Sequence, residues 1–413
     1  MTPTPTTQAP AAAPDSAAPL VSHRLAAFAL ALLLGLQPVT TDVYLPALPM
    51  LARDLAAPMS AAQLTMSALI LAFGVAQMFW GPVADRVGRR PVLITGLLLY
   101  TAASIGSMLA GGIGWLVLWR VLQGATMAAA VVCARAIVRD LYEPLEGARV
   151  MSLALSGLGV IAIAGPALGG VVAALGGWRA ALAVVAAFGA LTLAFIAWRL
   201  PETLLHKNPD ATRAGPLLAQ WGSIARHPTF IAWTLLVSAT YGGLFTILAG
   251  SSFTYIDVLG LSPGWYGLAM ASGSLSYLAG TFVCRRWIVR HGIRGAVARG
   301  GGFTLAGGVL VVTLALAGVH SVWAIVLPQW LFAFGHGIHQ PCGQAAVIGP
   351  FPQQAGAASA LAGFILAAVA VAVGAWLGVA MNGTVYPLVL TVGAMSAATA
   401  LVAWTLVQRH GQH

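Results

Sequence analysis

Two ionisable side chains stand inside long apolar runs in the first half of the chain. Asp42 belongs to "TTDVYLPALPML", residues 40–51, and Arg120 to "LVLWRVLQGATMAA", residues 116–129. A charge within hydrocarbon is costly and usually functional. A carboxyl balanced between desolvation, which favours its neutral form, and a nearby guanidinium, which favours the anion, can take up and release a proton as its access to water alternates. Asp42 sits about 18 residues into an outward-running span and Arg120 about 6 into an inward-running one, so at 1.5 Å per residue both fall in the outer half of a bilayer, within reach of each other directly or through water. The plainer roles are a helix cap ahead of Pro46 and Pro49 for Asp42, and a tie to backbone carbonyls for Arg120.

A second concentration of charge is "GPVADRVGRRPVLI", residues 81–94, where Asp85, Arg86, Arg89 and Arg90 crowd into a chain that is only 7% charged. Gly81 and Gly88 in the same stretch suit a tight turn and close backbone approach. Topology and anionic-lipid contacts would account for the arginines but would not require Asp85 or the glycines.

Softer candidates surround these groups. Gln123 and Met127 follow Arg120 at helical spacing, and Gln37, Thr41 and Tyr44 accompany Asp42. In the second half, Tyr241 and Phe245 are four apart, Met270 and Tyr277 share a face with Ser274, and "FGHGIHQPCGQ" carries His336 and His339 at i, i+3. Such mixed surfaces suit adaptable apolar ligands or, equally, helix packing. The histidines could titrate, bond a ligand or serve structure. With no third ligand they do not make a metal site.

The elements that must position these residues are membrane helices. The chain of 413 residues is 59% hydrophobic, too apolar to cover a water-facing surface. Runs of about 20 apolar residues fit a bilayer core roughly 30 Å thick, and without β alternation they satisfy their backbones as helices. Twelve candidate spans emerge: 25–45, 61–80, 92–111, 115–138, 150–175, 180–198, 230–252, 264–283, 303–319, 322–343, 356–379 and 385–407. The expected division is a disordered tail (1–23), a six-helix bundle (24–200), a polar linker (201–228), a second bundle (229–408) and a short tail (409–413). Arg120 is intramembrane and Arg135 near the inner face; every other Lys and Arg except Arg53 and Arg179 falls on the inner side, which makes both termini cytoplasmic. The second-half counterpart of 81–94 reads "GTFVCRRWIVRHGIR", residues 280–294, with Cys284 in the place of Asp85. Paired halves of this kind rock about a central site in transporters. The net charge of +10 lies in these turns rather than in aromatic-interleaved patches, which excludes nucleic-acid binding. Cys133, Cys284 and Cys342 read as small buried hydrophobes, without a disulfide framework. Neither HExxH nor Gly-x-Ser-x-Gly occurs, and no paired acids lie in the spans, so an enzyme is excluded.

"GPVADRVGRRPVL" resembles the Gly-x-x-x-Asp-Arg-x-Gly-Arg-Arg loop of the major facilitator superfamily. "LVLWRVLQGATMAA" is similar to its span-4 signature, and "GPALGG", with Gly165, Pro166, Gly169 and Gly170, to the span-5 antiporter motif. "TTDVYLPALPML" and "PFPQQAGAASALAGF" further resemble the Bcr/CflA drug-resistance branch. The resemblance covers the chain after its tail and implies two pseudo-symmetric bundles, with Asp42 and Arg120 coupling protons. It implies that Asp85 faces the start of span 11 near Gln353 to Gly356, and that Arg89 pairs with Asp140, latching the cytoplasmic side. Gly165 to Gly170 would bend span 5 at the interface between halves. The implied function is proton-driven export of small amphiphilic drugs or metabolites from a bacterial inner membrane, by a monomer in the lipid bilayer without a cofactor. Import or facilitated passage of a nucleoside or amino acid is the alternative.

Overall fold

The computed structural model describes residues 22–142, 144–205 and 207–411. The expected N-terminal tail lies outside the described residues as far as residue 21, as do the last two positions. The described chain is helical with no strand: α1 (His23–Asp42), α2 (Leu48–Asp54), α3 (Met59–Val87), α4 (Arg89–Met108), α5 (Ile113–Leu141), α6 (Pro144–Arg199), α7 (Ala214–Ala225), α8 (Pro228–Ser252), α9 (Pro263–Leu316), α10 (Val322–Ile348), α11 (Ala355–Ala380), α12 (Tyr386–Trp404) and α13 (Leu406–His410).

Among the described residues, nine helical segments are long and apolar enough to cross a membrane. Two of them, in α6 and α9, are double-length and break only at Gly177 (φ 74°) and Gly292 (φ 69°). α10 has the length but carries Gln329, His336, His339 and Gln340 in its interior. Dividing α6 and α9 at their glycines and counting α10 is consistent with the twelve expected crossings. α7 lies in the polar segment between the sixth and seventh.

Tryptophans mark the two faces of this slab. Trp115, Trp265 and Trp323 are exposed at the starts of α5, α9 and α10, and Trp198 and Trp404 at the opposite ends of α6 and α12. Amphipathic rings collect at membrane–water boundaries. α1 packs on α6, α3 on α5, and α4 on both α5 and α6; in the second half α8 packs on α10, α11 and α12, and α9 on α10 and α12. The halves meet through α3 on α11 and α6 on α9.

The turns on the basic face are tighter than the sequence suggests. Residues 81–94 are not a loop: α3 runs through Pro82 to Val87, α4 begins at Arg89, and Gly88 (φ 124°) is the whole turn. The stretch 280–294 is likewise helical apart from Gly292. Arginine is a good helix former, so these charges extend the spans instead of ending them. The two glycines also correct the register of the internal repeat. Each sits in Arg-x-Gly-x-Arg, Arg86 to Arg90 and Arg290 to Arg294, which sets Val289, not Cys284, opposite Asp85. The second arginine has the same task in both halves. Arg90 donates to the carbonyls of Leu200 and Ala197, both at 2.9 Å, and Arg294 to that of Gln408 at 2.8 Å. Each satisfies free carbonyls where its half's last crossing ends. Cys284 instead meets Cys342 of α10, with sulfurs 3.4 Å apart and both thiols free.

Without a hydrophobic drive between helices in lipid, close packing depends on small residues. At Gly124 of α5 an added Cβ would run into the Leu69 backbone of α3, whereas at Gly302 it would meet nothing within 4 Å. Gly124→Ala is therefore expected to destabilise the protein by about 1–3 kcal/mol, and Gly302→Ala to leave it unchanged or slightly more stable. Thermal unfolding in detergent measures both; equal melting temperatures would show that this contact does not limit stability.

Candidate functional site

Arg120 is fully buried within the first half. Its Nη1 donates to Gln123 Oε1 at 2.7 Å and its Nη2 to the Thr40 carbonyl at 3.4 Å, while the guanidinium lies 4.1 Å over the Tyr44 ring. Gln123 passes the network on to Ser104 at 2.7 Å, and Tyr44 bonds Thr65 at 2.8 Å. A buried cation needs partners, and here they are neutral. The Nε atom has none among the described residues.

Asp42 is not one of those partners. Of the direct or water-bridged interaction expected of Asp42 with Arg120, no direct hydrogen bond or ion pair is present among the described residues. Its carboxylate accepts from Thr41 Oγ1 at 2.7 Å, and Tyr241 and Tyr266 of the second half come within its electrostatic range. No Lys, Arg or His pairs with it among the described residues. The side chain is half-buried rather than bathed in solvent.

Gly165 of α6 makes room for it, because a Cβ there would come 3.3 Å from the Asp42 Cβ. Gly169 likewise admits the Val43 backbone, and Gly170 that of Pro263 on α9, while the Pro166 carbonyl sits where a side chain at Gly267 would go. Gly170 and Pro166 thus form a seam with α9 between the halves, while Gly165 and Gly169 seat the end of α1 within the first half. The backbone stays helical through Pro166, and α6 breaks at Gly177 instead. On the same outer side, Arg53 bridges to Asp257 across the halves at 3.2 Å.

A cavity of about 390 Å³ opens between the halves toward the basic face. Of the residues singled out in the sequence, Gln37 and Tyr241 line it. Thr41 bonds back to the Gln37 carbonyl, Tyr44 and Gln123 belong to the Arg120 network, and Met127 and Phe245 are packed with no exposure. Met270 receives Ser251 and Gln329 on its sulfur. His336 bonds Thr240 at 2.9 Å and packs beside Tyr277, ring centroids 5.5 Å apart; His339 turns its Nε2 to the Val297 carbonyl at 3.2 Å. The i, i+3 histidines thus serve separate neighbours.

The polar lining residues that sequence reasoning missed are Gln77, Gln340, Gln344, Ser359 and Arg135. Arg135 was legible by the rule that found Arg120, an ionisable group inside a span, but its position near the inner end of α5 made it look like a topology charge.

At the basic face, Arg89 is 2% exposed and pairs with Asp85 at 2.6 Å and Asp140 at 2.9 Å. Among the described residues no hydrogen bond or ion pair joins the Asp85 carboxylate to the start of α11, and Arg89 is its one ion-pair partner. Its carbonyl accepts from Asn208 at 3.0 Å, and Arg86 donates to Thr212 at 2.7 Å, so the motif is docked on the polar segment. Gly81 is not crowded, as a Cβ there would meet only Val132 at 3.8 Å.

Residues 30–375 match the model of the Major Facilitator Superfamily. The chain belongs to this superfamily. It is 29% identical over 338 residues to multidrug resistance protein D of Escherichia coli (strain K12), covering 81% of this chain and 83% of that protein. It is 23% identical over 381 residues to the bicyclomycin resistance protein homolog of Haemophilus influenzae, covering 92% and 96%. Its fold matches the crystal structure of a bacterial homolog of the human lysosomal transporter Spinster, inward-facing and occupied, with a TM-score of 0.70, 14% identity and coverage of 93% and 96%. That likeness is one of fold. Major facilitator proteins are transporters, so the chain is a multi-pass membrane protein that moves a small molecule and is not an enzyme.

One further acid joins the superfamily's loop motif in this chain. Glu202, just past α6, accepts from the backbone amides of Arg89 at 2.9 Å and Arg90 at 3.2 Å, and from those of Thr203 and Leu204. It caps α4 from outside that helix's own sequence. Gly88 is required beside it, because a Cβ there would approach Glu202 Oε2 to 2.5 Å. Burial alone would raise the Glu202 carboxyl, but the four backbone donors outweigh it and hold the group below the ordinary carboxylate range. The cap is therefore in place at neutral pH; its contribution shrinks as pH falls below the ordinary carboxylate value and is gone once pH passes the lowered folded one. Glu202→Gln should cost about 0.5–2 kcal/mol of local stability, seen as about two- to thirtyfold faster amide exchange at Arg89 and Arg90. Unchanged exchange would show that α4 does not depend on this cap.

Proposed function

We propose that this protein is a proton-coupled antiporter that exports small amphiphilic drugs or metabolites across a bacterial inner membrane by alternating access. The observation that carries this reading is the cavity between the halves, open toward the basic face and closed beyond by the seam of α6 against α9, with Asp42 lying past that closed end and outside the lining. Asp42 lies one and a half turns past the cavity-lining Gln37, about 7 Å along α1. A carboxylate with no cation to hold it charged can exchange its proton when the seam and the cavity change places. The names of the multidrug and bicyclomycin resistance relatives support export of drugs.

In this reading residues 24–200 and 229–408 are the two rocking bodies, the basic face is cytoplasmic, and the monomer works in the bilayer. The proton gradient drives it, with no resident cofactor. Arg120 acts as the fixed centre that organises Thr40, Tyr44 and Gln123 beside Asp42. Asp85, Arg89 and Asp140 form the cytoplasmic latch, whose partner on α11 is engaged only when the cavity faces outward. The cavity now faces the basic side, the state that loads cargo from within. Inward proton movement draws on the membrane potential at about 2.3 kcal/mol per charge per 100 mV.

Everted vesicles holding a pH gradient test this directly. A panel of amphiphilic antibiotics that includes bicyclomycin is added, and collapse of the gradient is recorded. At least one compound should discharge it with the wild-type protein, and Asp42→Asn, inserted at equal level, should reduce the response more than tenfold. Normal coupled efflux by Asp42→Asn would overturn the assignment.

A further inference from the structure

Arg135 lies about 22 Å along α5 from Arg120, at the opposite end of the protein's polar interior. Its side chain faces the cavity, and Nη1 donates to Ser359 Oγ on α11 at 2.8 Å. No carboxylate is within ion-pair distance among the described residues, and none lines the cavity. The other polar lining is neutral, with the amides of Gln37, Gln77, Gln340 and Gln344 and the hydroxyl of Tyr241. Phe73, Ile348 and Leu366 make the walls apolar.

Arg135 is itself exposed, so a ligand entering the cavity can reach its guanidinium, and no counter-charge in the lining competes for it. Its planar fork matches a carboxylate bidentately, and one neutral hydroxyl occupies only a single donor. Arg120 cannot take that part, since it is sealed under Tyr44 and Gln123. We propose that Arg135 is the anion-binding residue of the cavity, and that the transported class is amphiphilic carboxylates whose apolar body rests on the cavity wall. The proposal rests on the transport reading above and deepens it. It also separates the two charges the cycle handles, with the cargo anion on Arg135 and the proton on Asp42, so that neither competes for the other's site.

The test uses the purified full-length protein in neutral detergent and matched aromatic carboxylates with their methyl esters, beginning with 2-naphthoate and methyl 2-naphthoate. Dissociation constants are read by isothermal titration. The acids should bind at least tenfold tighter than the esters. Arg135→Gln should bring acids down to the ester level, and Arg135→Lys should retain most of the preference, which a packing role would not do. Equal affinity of acid and ester, binding of neither, or a preference that survives Arg135→Gln would overturn the proposal. The vesicle assay keeps the two readings apart. Gradient collapse without acid preference rejects the anion site and leaves transport standing; acid preference lost in Arg135→Gln without any gradient collapse does the reverse.

Discussion

A charge taken out of water must be satisfied by the protein itself, and the interior is arranged around one such charge. Arg120 spends its donors on Gln123, the Thr40 carbonyl and Met66, with its flat face on Tyr44. Each partner is neutral and comes from α1, from the turn after it, from α3 or from α5. The network therefore clamps the first half together without an acid. Asp42, a single residue beyond Thr41, is left with one hydroxyl and a view of the opposite half. Neutral satisfaction of the arginine leaves the carboxylate without a cation partner among the described residues.

The same economy shapes the two faces. On the outer side, Gly170 of α6 and Gly267 of α9 bring backbone against backbone. At the basic face the ties are ionic and point inward to each half: Arg89 to its two acids, Arg90 to the end of α6, Arg294 to the end of α13. Glu202 fastens the start of the polar segment to the start of α4. Across the halves the outer side is joined by backbone fit and by the Arg53–Asp257 ion pair, whereas these ionic ties of the basic face stay within each half.

Much of this was legible in the sequence. Hydropathy located the crossings and the polar division, because backbone satisfaction in lipid leaves helices as the solution for such runs. Charge in an otherwise apolar chain singled out the loop motif, and its resemblance to the major facilitator superfamily implied the pairing of Arg89 with Asp140. The turns were misjudged because arginine-rich stretches look like loops by polarity while favouring helix by propensity, so only Gly88 and Gly292 were true breaks. The same error misaligned Cys284 with Asp85. The interaction of Asp42 with Arg120 was inferred from depth alone, and depth says nothing of azimuth: Asp42 turns to α6 and the second half. Met127, Phe245 and His339 had suitable spacing but belong to packed surfaces, whereas Glu202 acts on a turn more than a hundred residues away in sequence.

The central claim is that Asp42, held by no cation, is a titrating group of the transport site. Infrared difference spectroscopy of the purified protein through a pH titration, wild type against Asp42→Asn, measures this without knowledge of the cargo. A protonated-carboxyl band that grows as pH falls in the wild type and is missing from the variant is the predicted result. Identical spectra for the two proteins would contradict it and remove Asp42 from the proton path.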